Sequence, residues 1–156
     1  MSSNITYIKK IFKNNTFHAR IVLLLLYGEK ISYFKLPFKI VRKIVIQGFY
    51  CSEIHPDSFR SKEAIATCRL PHPYLIIIHR TASIGINSTI FHNVTIGVIE
   101  GYKRKLQASC LGDNIYIGCD SAILGNLNIG KNVKIGAKSL ILKEIKDNQT
   151  VVGLYK

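Results

Sequence analysis

The C-terminal half of the chain places an aliphatic residue every six positions: Ile84, Ile90 and Ile96, then Leu111, Ile117, Ile123, Ile129, Ile135 and Ile141. Glycine follows six of them, at Gly85, Gly97, Gly112, Gly118, Gly130 and Gly136. Four residues after the aliphatic position comes a small or aliphatic residue, as at Ser88, Val94, Ile115, Ser121, Val133 and Ser139. A period of six fits neither the 3.6-residue helix nor the alternation of a half-buried strand. It is the pattern of a hexapeptide β-helix, in which each hexad forms one flat side and three hexads close a triangular coil. The aliphatic side chain then points inward and stacks on its counterpart in the next coil, so the repeat predicts one continuous apolar column. The corners need tight turns, and the pattern assigns them to the glycines, which tolerate positive φ. Asn87, Asn93, Asn114, Asn126 and Asn132 share that role at the fourth position of their hexads. An antiparallel sandwich can also space aliphatics with Gly and Asn, but nine in-phase positions argue against it.

Upstream the period changes. Phe17 to Tyr27 and Pro37 to Phe49 read as two helices joined by a turn near Gly28, after a polar, basic lead-in over residues 1–15. From Tyr50 to Pro73 the pattern is irregular, as expected of a first, imperfect coil, and regular coils run from about Leu75 to Ile145. One interruption stands out. Fifteen residues instead of six separate Ile96 from Leu111, so nine extra residues loop out around Tyr102-Lys103-Arg104-Lys105. Excursions from a rigid frame are common seats of function. The organisation is a basic helical cap over residues 1–50 and a hexapeptide domain over residues 51–156.

At 156 residues the chain has the length of about one domain. Its net charge of +13 is uneven: residues 1–50 hold nine Lys or Arg against Glu29 alone. The longest apolar run, Ile21 to Tyr27, is far too short to span a bilayer. In the stretch from Pro37, Lys39, Arg42 and Lys43 alternate with Phe38, Ile40, Val41, Ile44, Val45 and Ile46, the pattern of a basic amphipathic helix. Two roles fit it, and both can hold: contact with an anionic membrane surface, or an apolar cap on the open end of the β-helix. The aromatics match no nucleic-acid-binding module, so no nucleic-acid partner is expected. Cys51, Cys68, Cys110 and Cys119 form no CxxC pair, and with no cleavable signal sequence visible they are expected as reduced thiols of a cytoplasmic protein. The histidines lack metal-ligand spacing, and no metal site is expected.

Leu70-Pro71-His72-Pro73, Ile76-Ile77-Ile78, Ala82, Ile84-Gly85 and Val94-Thr95-Ile96-Gly97 resemble the serine acetyltransferase branch of the hexapeptide acyltransferases. The likeness covers roughly Ile40 to Val152 and looks nearest to short members that O-acetylate exopolysaccharides of the colanic-acid type. It implies an all-β fold, a single-stranded left-handed parallel β-helix with a short N-terminal helical segment. It also implies acetyl-CoA as acyl donor and a homotrimer. The family's catalytic histidine falls on His72, a neutral imidazole able to take the proton of an acceptor hydroxyl as it attacks the thioester. The carboxylate that orients that imidazole falls on Glu53, within Glu53-Ile54-His55-Pro56. The family's spacing of fifteen residues instead reaches Asp57, whose neighbours do not match, so Glu53 is favoured. His92 and Asp57 are candidates for the acceptor site. The donor positions correspond to Gly118, Cys119, Gly136, Ala137 and Lys138, where small residues let the pantetheine arm approach the backbone and Lys138 can meet a phosphate.

Two departures shape the expected acceptor. Serine-specific members carry an Arg-His pair at the end of the long loop that grips the amino-acid carboxylate, and Gln107 and Ala108 occupy that region here. The long N-terminal helical domain of those enzymes has no counterpart in the sequence. Both points favour a sugar hydroxyl on a cell-surface polysaccharide unit or its lipid-linked precursor, reached at the inner membrane face, over serine. In place of the family's Gly-x-Pro-Ala-Lys tail, Val151-Val152-Gly153 is followed by Leu154-Tyr155-Lys156, so the adenine end of the donor site is expected to differ. A non-catalytic β-helix scaffold that assembles with an active partner is the reading from another class.

Overall fold

The structure, a computed structural model, describes residues 2–31, 35–99 and 106–156. Three α-helices come first, α1 (Ser2–Asn14), α2 (Phe17–Ile31) and α3 (Lys35–Arg42), which runs on into a π-helical turn over Lys43–Phe49, and α4 (Lys62–Thr67) follows the first strand. The strands are short and follow coil by coil. They begin with β1 (Glu53–Ile54), then β2 (Ile77–Ile78), β3 (Ser83–Ile84), β4 (Thr89–Ile90), β5 (Thr95–Gly97), β6 (Cys110–Leu111) and β7 (Tyr116–Ile117). They continue with β8 (Ala122–Leu124), β9 (Asn128–Ile129), β10 (Lys134–Ile135), β11 (Leu140–Ile141), β12 (Thr150–Val151) and β13 (Leu154–Tyr155).

All pairings between these strands are parallel and link every third side, which makes a three-faced left-handed β-helix. Face A is β1-β2-β5-β8-β11-β13, face B is β3-β6-β9 and face C is β4-β7-β10-β12. Isolated bridges complete the imperfect coils, Phe59 with Ile84 and Ile145 with Ile129 on face B, and Arg69 with Thr89 on face C. The six-residue period therefore becomes three inward columns. Ile54, Ile78, Ile96, Ile123 and Ile141 stack on face A, each buried. Phe59, Ile84, Leu111, Ile129 and Ile145 fill face B, and Leu70, Ile90, Ile117, Ile135 and Val151 fill face C. Their burial supplies the main driving force for the prism.

The corners differ from the expectation in an instructive way. Positive φ falls on the fourth hexad position, at Asn87, Asn93, Asn114, Asp120, Asn132 and Lys138, and not on the six glycines that follow the aliphatic residues. Asn126 is spared, because Gly125 (φ 101) makes that corner. The hexad glycines are needed for another reason, the closeness of stacked coils. A Cβ on Gly118 would lie 2.5 Å from the Ala137 nitrogen, and one on Gly112 2.6 Å from the Gly130 carbonyl oxygen, both unyielding backbone. At the corner between faces B and C the asparagines also bond one another. Each donates an amide hydrogen to the next, Asn87 to Asn114 (3.1 Å), Asn114 to Asn132 (2.9 Å) and Asn132 to Asn148 (2.8 Å).

The N-terminal helices close one end of the prism, packing α1 and α2 on α4. The polar lead-in expected over residues 1–15 is the helix α1. Its charges obscured an apolar spacing, and Ile11 is buried on that face. The buried Asn15 stitches this cap to the first coil, donating to the Cys68 carbonyl (3.0 Å) and accepting from the Leu70 amide (3.1 Å). α4 interrupts the first coil, where Ser61 caps it by accepting from Ala64 N (3.1 Å). Arg42 and Glu29 form a buried ion pair at 2.6 Å, and Arg42 also donates to the Ile54 carbonyl (3.0 Å), tying α2, α3 and β1 together. Among the described residues no helix is long and apolar enough to cross a membrane. The loop tip Tyr102-Lys103-Arg104-Lys105 lies outside the described residues.

Candidate active site

The corner between faces C and A carries most of the sequence-predicted residues. Backbone hydrogen bonds set its register: Leu75 N to the Tyr50 carbonyl (3.1 Å), Asn93 N to Tyr74 (3.0 Å), Asp120 N to His92 (3.3 Å) and Lys138 N to Cys119 (2.8 Å). Cys51, Leu75, Asn93, Asp120 and Lys138 all turn this corner with positive φ. The residues just before them, Tyr50, Tyr74, His92, Cys119 and Ala137, thus run down one edge of the prism. Gly118 and Gly136 lie one step further back on the face C side, linked by the Gly118 N to Ile135 and Gly136 N to Val151 hydrogen bonds (both 2.8 Å).

His72 sits at the top of this edge, exposed, in the turn between Pro71 and Pro73. Ser52, buried in the first coil, fixes that turn: its hydroxyl accepts from Ile76 N (2.9 Å) and lies 3.1 Å from the Pro73 carbonyl. The His92 ring meets His72 edge to face, with centroids 5.7 Å apart and planes at 74°. The His92 Nδ1 is buried without a hydrogen-bond partner among the described residues. Buried polar atoms are seldom left so, and an orphan beside an exposed imidazole marks a place for a polar ligand atom. The pair offers one exposed imidazole able to take a proton, with a second ring packed against it.

Glu53 does not join this pair. It lies two residues past the corner, on face A, paired in register with Ile77, and no hydrogen bond or ion pair connects it to His72 within the chain. Its side chain opens on a cleft under α3. Asp57 is also away from His72: it contacts His55 (3.2 Å), Lys30 (3.8 Å) and Arg80 (3.8 Å). Burial holds the His55 imidazole below its ordinary pKa, partly offset by the Asp57 carboxylate. The five donor-site positions do share the His92 edge. Cys119 is half-buried, Ala137 and Lys138 are exposed, and Gly118 has no room for a side chain. Of the two loop residues expected in place of the carboxylate clamp, Gln107 is exposed and Ala108 buried, its amide donating to Thr81 Oγ1 (2.9 Å).

Sequence reasoning passed over two residues at this edge. Ser52 carries no signature beyond its place before Glu53. His18, given no role, has Nδ1 3.1 Å from the Tyr50 hydroxyl and its ring against Tyr74, two residues from His72. An unexplained histidine at the start of a helix facing a tyrosine-rich corner was the available signal.

Fold and edge together define a hexapeptide-repeat β-helix with an exposed histidine at a corner lined by small residues. No family model matches the chain. The serine acetyltransferase of Staphylococcus aureus (strain Mu50) is 36% identical over 102 residues, 65% of this chain and 46% of that protein. That of Staphylococcus epidermidis (strain ATCC 12228) is 38% identical over the same length and the same shares. Among solved structures, Entamoeba histolytica serine acetyltransferase isoform 3 in complex with cysteine superposes with a TM-score of 0.70 at 27% identity, covering 88% of this chain and 48% of that one. Neisseria gonorrhoeae serine acetyltransferase in complex with serine gives 0.66 at 31% identity, with 88% and 54% covered. The chain thus spans less than half the length of the staphylococcal relatives it matches. The resemblance to the serine acetyltransferase branch is supported, while the finer likeness to polysaccharide-acetylating members finds no support among these relatives.

Proposed function

We propose that this chain is an acetyl-CoA-dependent O-acetyltransferase that uses His72 as general base. The observation that carries the reading is the exposed His72 ring beside the orphaned Nδ1 of His92, at the head of a corner lined by small residues. In the reaction, His72 takes the proton of the acceptor hydroxyl as its oxygen attacks the thioester carbonyl. The new C–O bond forms, the C–S bond breaks, and the imidazolium returns the proton to the departing thiolate. Gly118, Gly136, Cys119 and Ala137 keep side chains small along the same edge, where the donor's pantetheine arm can approach the backbone, and Lys138 can meet a phosphate. A homotrimer would set this edge against a neighbouring copy, and Glu53 orients His72 only if such an assembly brings the two together.

For the acceptor, the relatives favour serine, since their names carry that activity. The second reading, a sugar hydroxyl, rests on one observation: Gln107 and the buried Ala108 offer no guanidinium to a carboxylate. Release of the CoA thiol, measured with L-serine and with a panel of glycans in parallel, separates them. Turnover with serine alone establishes the first, and turnover with glycans alone the second. No turnover with either, together with no acetyl-CoA binding by calorimetry, refutes both in favour of a scaffold.

A further inference from the structure

A cleft of about 330 Å³ lies between the α3 and π-helical segment and face A of the first two coils. Lys39 and Lys43, one helical turn apart, line it from one wall, and Arg80 from the other. Neither lysine has an acidic partner among the described residues, whereas Arg42 beneath them is consumed by Glu29. Like charges at this spacing repel, so the wall is arranged at a cost that a bound anion relieves. Glu53 is the sole carboxylate in the lining and Asp57 stands beside Arg80, so the three cations Lys39, Lys43 and Arg80 against these two acids leave a net charge of +1. Arg80 is held only loosely, 3.8 Å from Asp57.

Two imidazoles also line the cleft. His55 Nδ1 lies 3.2 Å from both the Asp57 backbone nitrogen and its carboxylate, and His79 Nδ1 accepts the backbone N–H of Thr81 (3.3 Å). An Nδ1 that accepts leaves the proton of a neutral imidazole on Nε2, so the His79 ring has an N–H to donate. Gln47 adds an amide. A pocket this rich in donors, with a net positive charge, matches the acceptor-only oxygens of a phosphate monoester.

We infer that this cleft is a binding site for a phosphate monoester group, apart within the chain from the corner that carries His72. The group can arrive on a small molecule or on a lipid headgroup. α3 leaves Leu36 and Ile40 exposed beside it, and the following turn leaves Ile44 exposed. Calorimetry without acetyl-CoA, using glycerol 3-phosphate, and cosedimentation with phosphatidic acid vesicles against phosphatidylcholine vesicles distinguish the two sources. The expected result is binding in at least one arm that weakens tenfold or more in Lys39→Gln/Lys43→Gln and stays unchanged in Lys134→Gln, a remote exposed lysine on face C. Both substitutions are at exposed positions, and circular dichroism checks that the fold is kept. Absence of binding in both arms, or equal weakening by Lys134→Gln, overturns the inference. CoA release measured separately shows whether acetyl transfer stands or falls on its own.

Discussion

Removing one partner of the Arg42–Glu29 pair tests how the helical cap is fastened to the β-helix. Both side chains are nearly solvent-free, 4% and 8% exposed, with nitrogen and oxygen 2.6 Å apart. Glu29→Ala leaves the guanidinium buried with the Ile54 carbonyl as its remaining partner among the described residues. Stranding a buried charge in this way costs about 3–5 kcal/mol. With an m-value of about 2 kcal/mol/M, the urea midpoint should fall by about 2 M. Replacing both partners by apolar residues, Glu29→Leu with Arg42→Met, should recover most of that loss, because an ion pair that is never desolvated incurs no penalty. Urea titration followed by far-UV circular dichroism at fixed protein concentration reads both variants. A loss below about 1 kcal/mol for Glu29→Ala would show that Arg42 reaches water without the carboxylate, and would refute the buried pair as the fastening.

Gly112→Ala should destabilise by about 1–3 kcal/mol or more, because its Cβ meets the Gly130 backbone, while Gly48→Ala, with open space around it, should be neutral; thermal melts compare them. Cys68 is fully buried and its thiol is pushed up to about 12, so mass-mapped alkylation of the native protein should label the exposed Cys51 first and leave Cys68 unmodified until unfolding. Burial lowers the His55 pKa in the folded chain, so the unfolded chain takes up the proton first as pH falls through about 6.5. His55 therefore weakens the fold progressively below that pH and is neutral above it. His55→Gln should flatten the decline of Tm between about pH 7 and pH 5.5, and parallel declines would contradict this assignment.

The β-helix was legible because its period is a direct image of its geometry: each inward column residue, from Ile78 to Ile141, recurs at the spacing one face imposes. The asparagine corners were legible from the repeat, whereas what the hexad glycines do was not, since positive φ and close coil contact both demand glycine and only the backbone shows which applies. α1 was hidden because its lysines dominate a short apolar spacing that tertiary contact with α4 rewards. The first coil concealed α4, although Ser61-Lys62-Glu63-Ala64 carries a helix start that could have been read. His72, His92 and the donor-site residues were legible as one edge through the repeat's register. The relation of Glu53 to His72 was not, because residues on either side of a corner are near in sequence yet face different ways. Nor was the Lys39–Lys43–Arg80 cleft, which forms only when the amphipathic helix docks on face A.

The central claim is that His72 performs base catalysis from the corner edge. CoA release by the wild type and by His72→Ala, with acetyl-CoA affinity measured in parallel, tests it most directly. The account predicts a fall in turnover of about 10²-fold or more with donor affinity retained. Turnover equal to that of the wild type would contradict it.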